Sequence, residues 1–120
     1  MTTADPLSIA RRYHDEWTSK NYDRAIEMLA PTLTIEVPIN AYPTPESFAR
    51  ALQGFGELVI SVDVLAEMSG GDEAMLLYDM QVEGVGELRV AEHFTVAGGK
   101  IVRLRQIHDT AAVRAAGLAA

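Results

Sequence analysis

At Leu58 the hydrophobic repeat of the chain changes from about 3.6 residues to 2, and that change constrains the fold more than any other feature. From there to Asp109 four alternating segments follow one another. LVISVDVLAEM is followed by GGDE, AMLLYDMQVE by GVG, ELRVAEHFTV by AGGK, and IVRLRQIHD comes last. Alternation sends successive side chains to opposite faces of a strand. Connections this short join antiparallel neighbours, so the segments predict an antiparallel meander.

The first half of the chain reads differently. Asp5 is placed to cap a helix that opens at Pro6, where proline's missing N–H costs nothing. Ile9, Tyr13 and Trp17 then recur at helical spacing, flanked by Leu7, Ala10 and His14, and the helix stops near Ser19-Lys20-Asn21. A second helix is expected from Asp23 to about Leu29, ended by Pro31. LTIEVP, residues 33 to 38, alternates as a short strand. Thr44-Pro45 starts a third helix, whose buried stripe is Phe48, Ala51, Leu52 and Phe55. The alanine-rich TAAVRAAGLAA at the end reads as a short helix or a frayed tail. Residues 1–120 are expected to form a single domain with a core over about 7–110.

One face of such a meander is apolar and needs cover, which the helices supply. On the third meander strand Leu88, Val90, Glu92, Phe94 and Val96 share a face, against Arg89, Ala91, His93 and Thr95. On the last strand Val102, Leu104, Gln106 and His108 share one, against Ile101, Arg103, Arg105 and Ile107. On the strand before, Leu76, Tyr78, Met80 and Val82 form the matching set.

Charge and composition exclude several functions. Ten basic and 17 acidic residues give a net charge of −7, which opposes binding to nucleic acid or an anionic membrane. The chain has no cysteine, so disulfides, thiol nucleophiles and thiolate metal sites are excluded. No apolar run is long enough to span a bilayer, and MTTADPLSIA lacks the features of an export signal, so a cytoplasmic location is expected. HExxH, EF-hand and phosphate-loop patterns are absent, and no metal or cofactor is expected.

RRYHDEW, YDRAIEMLAPTLTIEVP and EHFTVAGGKIVRLRQIHD, in this order and spacing, resemble the nuclear transport factor 2-like superfamily, especially its SnoaL-like and ketosteroid isomerase-like members. The resemblance implies an α+β cone, with three N-terminal helices packed on a strongly curved, mainly antiparallel sheet. It also implies a pocket between helices and sheet, and a homodimer formed through the outer sheet face. It does not fix a function, because this fold carries isomerases, cyclases, epoxide hydrolases, dehydratases and binding domains.

Against the ketosteroid isomerases, Tyr13 matches the donor tyrosine of the first helix and Glu92 matches the protonated acid. Val37 stands where the catalytic base belongs. Valine accepts no proton, so the resemblance does not carry that mechanism in its usual form. The Asp-Arg-Asp arrangement of epoxide hydrolases needs an inward arginine, but Arg89, Arg103 and Arg105 have the outward parity. The acid–histidine pair of SnoaL-like cyclases would correspond to His108 with Glu92 or Asp109.

The resemblance turns the Glu92 and His108 faces toward the cavity. His108 is the best general acid–base by residue type, and Glu92 across the sheet is a better orienter for it than Asp109. Burial favours the neutral acid at Glu92, which can donate a hydrogen bond to a ligand oxygen. Equally, Glu92 serves a structural network with Tyr13, Tyr78 or His108, and His108 bonds water or a main-chain carbonyl at the cavity mouth. Tyr13 is a phenolic donor or a core aromatic, and Trp17 a flat wall or a core residue. Val37, Tyr78, Met80, Val90, Phe94, Leu104 and Gln106 complete the expected ligand wall. Such a pocket suits a small, mostly apolar molecule with one or two oxygen atoms. The expected activity is cofactor-independent isomerisation, cyclisation or dehydration by acid–base chemistry. The alternatives are ligand binding without chemistry, or protein interaction through the outer sheet face.

Overall fold

The computed structural model describes residues 5–118. Helix α1 spans Pro6–Thr18 and α2 spans Tyr22–Ile26. Strand β1 (Leu29–Glu36) leads to helix α3 (Pro45–Gly56). Four strands follow: β2 (Val59–Gly70), β3 (Glu73–Val82), β4 (Gly86–Ala97) and β5 (Lys100–His108), and then helix α4 (Ala111–Ala115).

Local chemistry explains the helix starts. The Asp5 carboxylate accepts from the Leu7 N–H at 2.9 Å. Thr44 and Ser47 form a reciprocal capping box, each side chain accepting the other's backbone N–H, at 3.1 and 3.2 Å. Such caps satisfy donors that the first helical turn leaves unpaired. The β4–β5 hairpin turns on Gly98 and Gly99, with φ of 59° and 77°. A two-residue turn with positive φ at both positions matches the twist of the flanking strands, and glycine adopts it without strain.

The sheet order is β1-β5-β4-β3-β2. The meander β2 to β5 is antiparallel throughout, as its turns predict, and β1 lies parallel to β5. The expectation of a strongly curved cone with three N-terminal helices is therefore corrected. Among the described residues the sheet is open and mixed, with β1 and β2 as its edge strands, and α4 follows the last strand. Alternation reports which way a side chain points, and it carries no information about how far neighbouring strands curl.

Two boundaries move for physical reasons. Leu29, expected at the end of the second helix, instead begins β1 opposite Ile101, and the Ile101 N–H donates to the Met28 carbonyl at 2.8 Å. Pro31 then sits in an edge strand, where its missing N–H is tolerated. On β5 the register shifts between Thr95 and Val96, so Phe94 faces Leu104 while Val96 faces Ile101. Val102 is the extra residue of this bulge and is only half-buried, whereas Ile101 is fully buried. The expected inward direction of Val102 is thus corrected. A bulge of one residue reverses strand parity, and here it turns Ile101 inward while leaving Lys100 outside.

Helix α1 packs across β2 to β5, and α3 packs on β1. Between them and the sheet lie Tyr13, Trp17, Leu76, Tyr78, Val90, Phe94, Ile101 and Leu104, all buried. Each large apolar side chain buried in this layer contributes roughly 1.5–3 kcal/mol. Among the described residues no helix is long and apolar enough to cross a membrane.

Candidate functional site

The inner face of β3, β4 and β5 is built from rows of facing residues. One row is Tyr78, Val90 and His108, and the next is Leu76, Glu92 and Gln106. Residues directly opposite on an antiparallel pair share a face. Glu92, Gln106 and His108 accordingly point to the same side, as parity predicts.

Glu92 is fully buried and holds the centre of this face. Gln106, opposite it, donates its amide N–H to Oε2 at 2.8 Å. Tyr78, diagonally placed, donates its hydroxyl to Oε1 at 2.9 Å. Burial raises the Glu92 pKa from 4.5 to about 7, and the two hydrogen bonds only partly oppose it. Burial also lifts both Tyr13 and Tyr78 well above the ordinary tyrosine value, with the Glu92 charge adding to it, so both phenols keep their protons.

Of the two arrangements the sequence allows for His108, the main-chain carbonyl partner is the one present. Its Nδ1 lies 2.9 Å from the main-chain carbonyl of Asp109, and not against Glu92. A carbonyl only accepts, so Nδ1 donates its N–H to it, and in the neutral tautomer this selects, Nε2 is the acceptor. The Glu92 oxygens are already occupied by nearer partners, and His108 stands one row further along, beside Val90.

A cavity of 110 Å³ opens between α1, α3 and this face. Of the expected residues it gathers Trp17, Val37, Tyr78, Met80, Val90, Gln106 and His108. Tyr13, Glu92, Phe94 and Leu104 are on the same side of the sheet but behind the cavity wall, in the packed core. Tyr13 meets Phe94 edge-on, with ring centroids 5.9 Å apart. Its hydroxyl has no hydrogen-bond partner among the described residues.

Leu88 joins the expected cavity residues from the same face of β4, and the remaining wall comes from segments without a strand pattern to reveal it. Ile39, Asn40 and Tyr42 come from the connection after β1, and Val113 and Leu118 from the tail. Phe48, Leu52 and Phe55 of α3 also face the cavity, and their helical stripe signalled burial without revealing a void beside it. The INAYPTP segment carried only turn signals, and Asn40 indeed has a φ of 65°.

His14 flanks the buried stripe of α1. It is 1 % exposed, its ring lies 4.6 Å from that of Tyr78, and its Nδ1 has no partner among the described residues. Burial lowers its pKa from 6.5 to about 4, so it is neutral near pH 7. Trp17 also leaves its indole N–H unpartnered among the described residues. His93 lies on the outer face, between Glu73 at 2.7 Å and Arg105 at 3.3 Å. Arg89 pairs with Asp79 on that same outer face, in line with the parity that excluded an inward arginine. Among the described residues no group of three or more His, Cys, Asp or Glu side chains is placed to hold a metal ion.

The family model described as SnoaL-like domain matches residues 10–104. Among solved structures, a protein from Kribbella flavida is similar with a TM-score of 0.88 and 28 % identity, over 98 % of this chain and 96 % of that one. An NTF2-like protein of unknown function from Cytophaga hutchinsonii has a TM-score of 0.82 at 16 % identity, over 95 % and 99 %. A steroid delta-isomerase from Pseudomonas aeruginosa has a TM-score of 0.78 at 15 % identity, over 96 % and 88 %. Identities this low, in the last two, establish the shared fold alone. No curated protein matches the chain.

Proposed function

Because the chain belongs to the SnoaL-like domain family, we propose that it acts on a small, mostly apolar molecule with one or two oxygen atoms, held in the cavity between α1, α3 and the sheet. The observation that carries this reading is one imidazole, His108, in a wall that is mainly aromatic and aliphatic, with residues such as Trp17, Tyr42, Phe48 and Phe55 beside the amides of Asn40 and Gln106. With Nδ1 committed to the Asp109 carbonyl, Nε2 is the acceptor available to a substrate. It takes a proton from carbon beside a carbonyl and the electron pair moves toward the oxygen; the proton is then passed to another atom of the molecule, which in a dehydration is the hydroxyl that leaves as water. Isomerisation, cyclisation and dehydration all share that step.

The oxygen that gains charge needs donors. Sequence assigned this role to Tyr13 and Glu92, but neither lines the cavity. Gln106 and Tyr78 do, with Glu92 behind both, and the unpartnered Trp17 N–H belongs to a residue of the same wall. A water needs about 10–15 Å³ on this measure, so 110 Å³ holds on the order of ten non-hydrogen atoms. That suits one or two small rings and excludes a four-ring skeleton. Val37, in place of the carboxylate base, points the same way.

A panel of aryl ketones, enones and phenols, followed by NMR for binding and by chromatography for conversion, tests the reading. Turnover lost in His108→Ala with binding retained is the expected result. Unchanged turnover in both His108→Ala and Glu92→Gln would refute it. A second reading, binding without chemistry, is favoured by the absence, among the described residues, of any Asp or Glu from the cavity wall. Ligands that bind but are never converted would establish it. For the outer sheet face, where Met68, Met75 and Ile107 are exposed, we propose pairing of two copies. Light scattering before and after Ile107→Lys tests that.

A further inference from the structure

Glu92 does not touch the cavity, yet the two groups that hold it do. An ionised carboxylate only accepts hydrogen bonds. While Glu92 is charged, the Tyr78 proton is therefore committed to Oε1, and the phenol offers the cavity nothing but lone pairs. A neutral Glu92 carries its own proton. Gln106 still donates to Oε2, so that proton sits on Oε1, directed at the Tyr78 oxygen 2.9 Å away. Tyr78 then accepts from Glu92, and its own O–H is released toward the cavity it lines. One proton thus reverses one hydrogen bond and changes the character of the wall.

We propose that Glu92 is a positioning residue whose protonation decides whether Tyr78 presents a donor to the cavity, so that a ligand with an acceptor oxygen binds with uptake of one proton. This rests on the reading of the cavity as a ligand site and adds a regulation to it. The groups facing the pair are Tyr13 and His14 from α1, Tyr78 from β3, and Gln106 and His108 from β5. Asp79, Arg89, Arg103 and Arg105 have the opposite parity and lie on the outer face. Among the described residues no cation pairs with Glu92 to hold it ionised. Its pKa of about 7 leaves both forms populated near neutrality.

The test uses acetophenone and its hydrocarbon shape-match isopropenylbenzene, neither of which titrates near neutral pH. In the wild type, the affinity ratio of ketone to hydrocarbon is expected to fall about tenfold as pH rises from about 6 to about 8.5. Calorimetry in two buffers of different ionisation heat should register proton uptake with the ketone and none with the hydrocarbon. Glu92→Gln, whose amide cannot lose the proton, should hold the ratio at its acid value at every pH. Tyr78→Phe should lower the ratio to the wild type's alkaline value and make it independent of pH. A pH dependence that persisted in Tyr78→Phe would come from a group other than the Glu92–Tyr78 pair and would overturn the proposal. A flat ratio in the wild type, or a pH-dependent one in Glu92→Gln, overturns the proposal while leaving the cavity reading intact. If neither compound binds at any pH, the cavity reading falls and the proposal falls with it. Should Glu92→Gln fail to fold, the wild-type and Tyr78→Phe profiles decide the matter.

Discussion

His14→Phe isolates the cost of keeping a histidine inside this layer. The imidazole is 1 % exposed, and burial moves its pKa from 6.5 to about 4. A depressed pKa contributes stability that is complete above the unfolded value and is lost as pH falls through the folded one. At about 1.4 kcal/mol per pH unit, the full loss is about 3 kcal/mol, most of it spent between pH 6.5 and pH 4. Phenylalanine keeps the ring contacts with Tyr78 and Trp17 and has no proton to gain. It also removes the unpartnered Nδ1, itself a burden of about 1–3 kcal/mol at any pH. The assay is urea unfolding of both proteins at about pH 7.5, 5.5 and 4.5, with stability extrapolated to water. Relative to the wild type, His14→Phe should gain about 2–3 kcal/mol between the highest and lowest pH. The difference between proteins must be used, because Glu92 titrates with the opposite sign and flattens the wild-type profile. A difference that stays constant with pH would show that His14 is not held neutral by burial, and the reasoning would fail.

Glu92 supplies the mirror case: its pKa is raised from 4.5 to about 7, so its contribution is complete below 4.5 and is lost as pH rises through 7. Glu92→Gln should gain about 3 kcal/mol over the wild type between pH 4.5 and 8.5 in the same assay. The bulge on β5 predicts that Ile101→Ala costs about 2–5 kcal/mol while Val102→Ala costs under about 1; equal costs would contradict the register. Thr44→Ala should lower stability by about 1 kcal/mol through loss of the capping box. Val113→Asp places a charge in the cavity wall, and should weaken hydrocarbon binding at least tenfold by NMR titration if the tail helps to close the site.

Much of this arrangement is legible in the sequence because it follows from local rules. Asp5-Pro6 and Thr44-Pro45 announce their helices, and the glycine pairs announce the hairpins. Strand parity places Glu92, Gln106 and His108 on one face without any coordinates. What it misses is set by contacts between distant segments. The parallel pairing of β1 with β5 depends on residues about 70 apart in the chain. The turn to the interior at His14 is decided by what α1 packs upon, and helical spacing allows either direction for a residue at the edge of the stripe. Sequence leaves Tyr13, Tyr78 and His108 equally open as partners of Glu92, and it is Tyr78 that reaches it, diagonally from the neighbouring strand. The far wall of the cavity comes from a turn and a tail whose residues carry no periodicity.

The bulge at Val102 divides β5 into two halves with separate phases. Gln106 and His108 take their direction from pairing with Glu92 and Val90. Ile101 takes its own from the Gly98–Gly99 turn and from Val96. A residue gained or lost at that turn can be absorbed at the irregularity, without rotating the far half of the strand. The cavity-facing groups are thereby insulated from length variation at the hairpin tip, which lets the turn drift in evolution or accept an engineered insertion while the pocket keeps its lining.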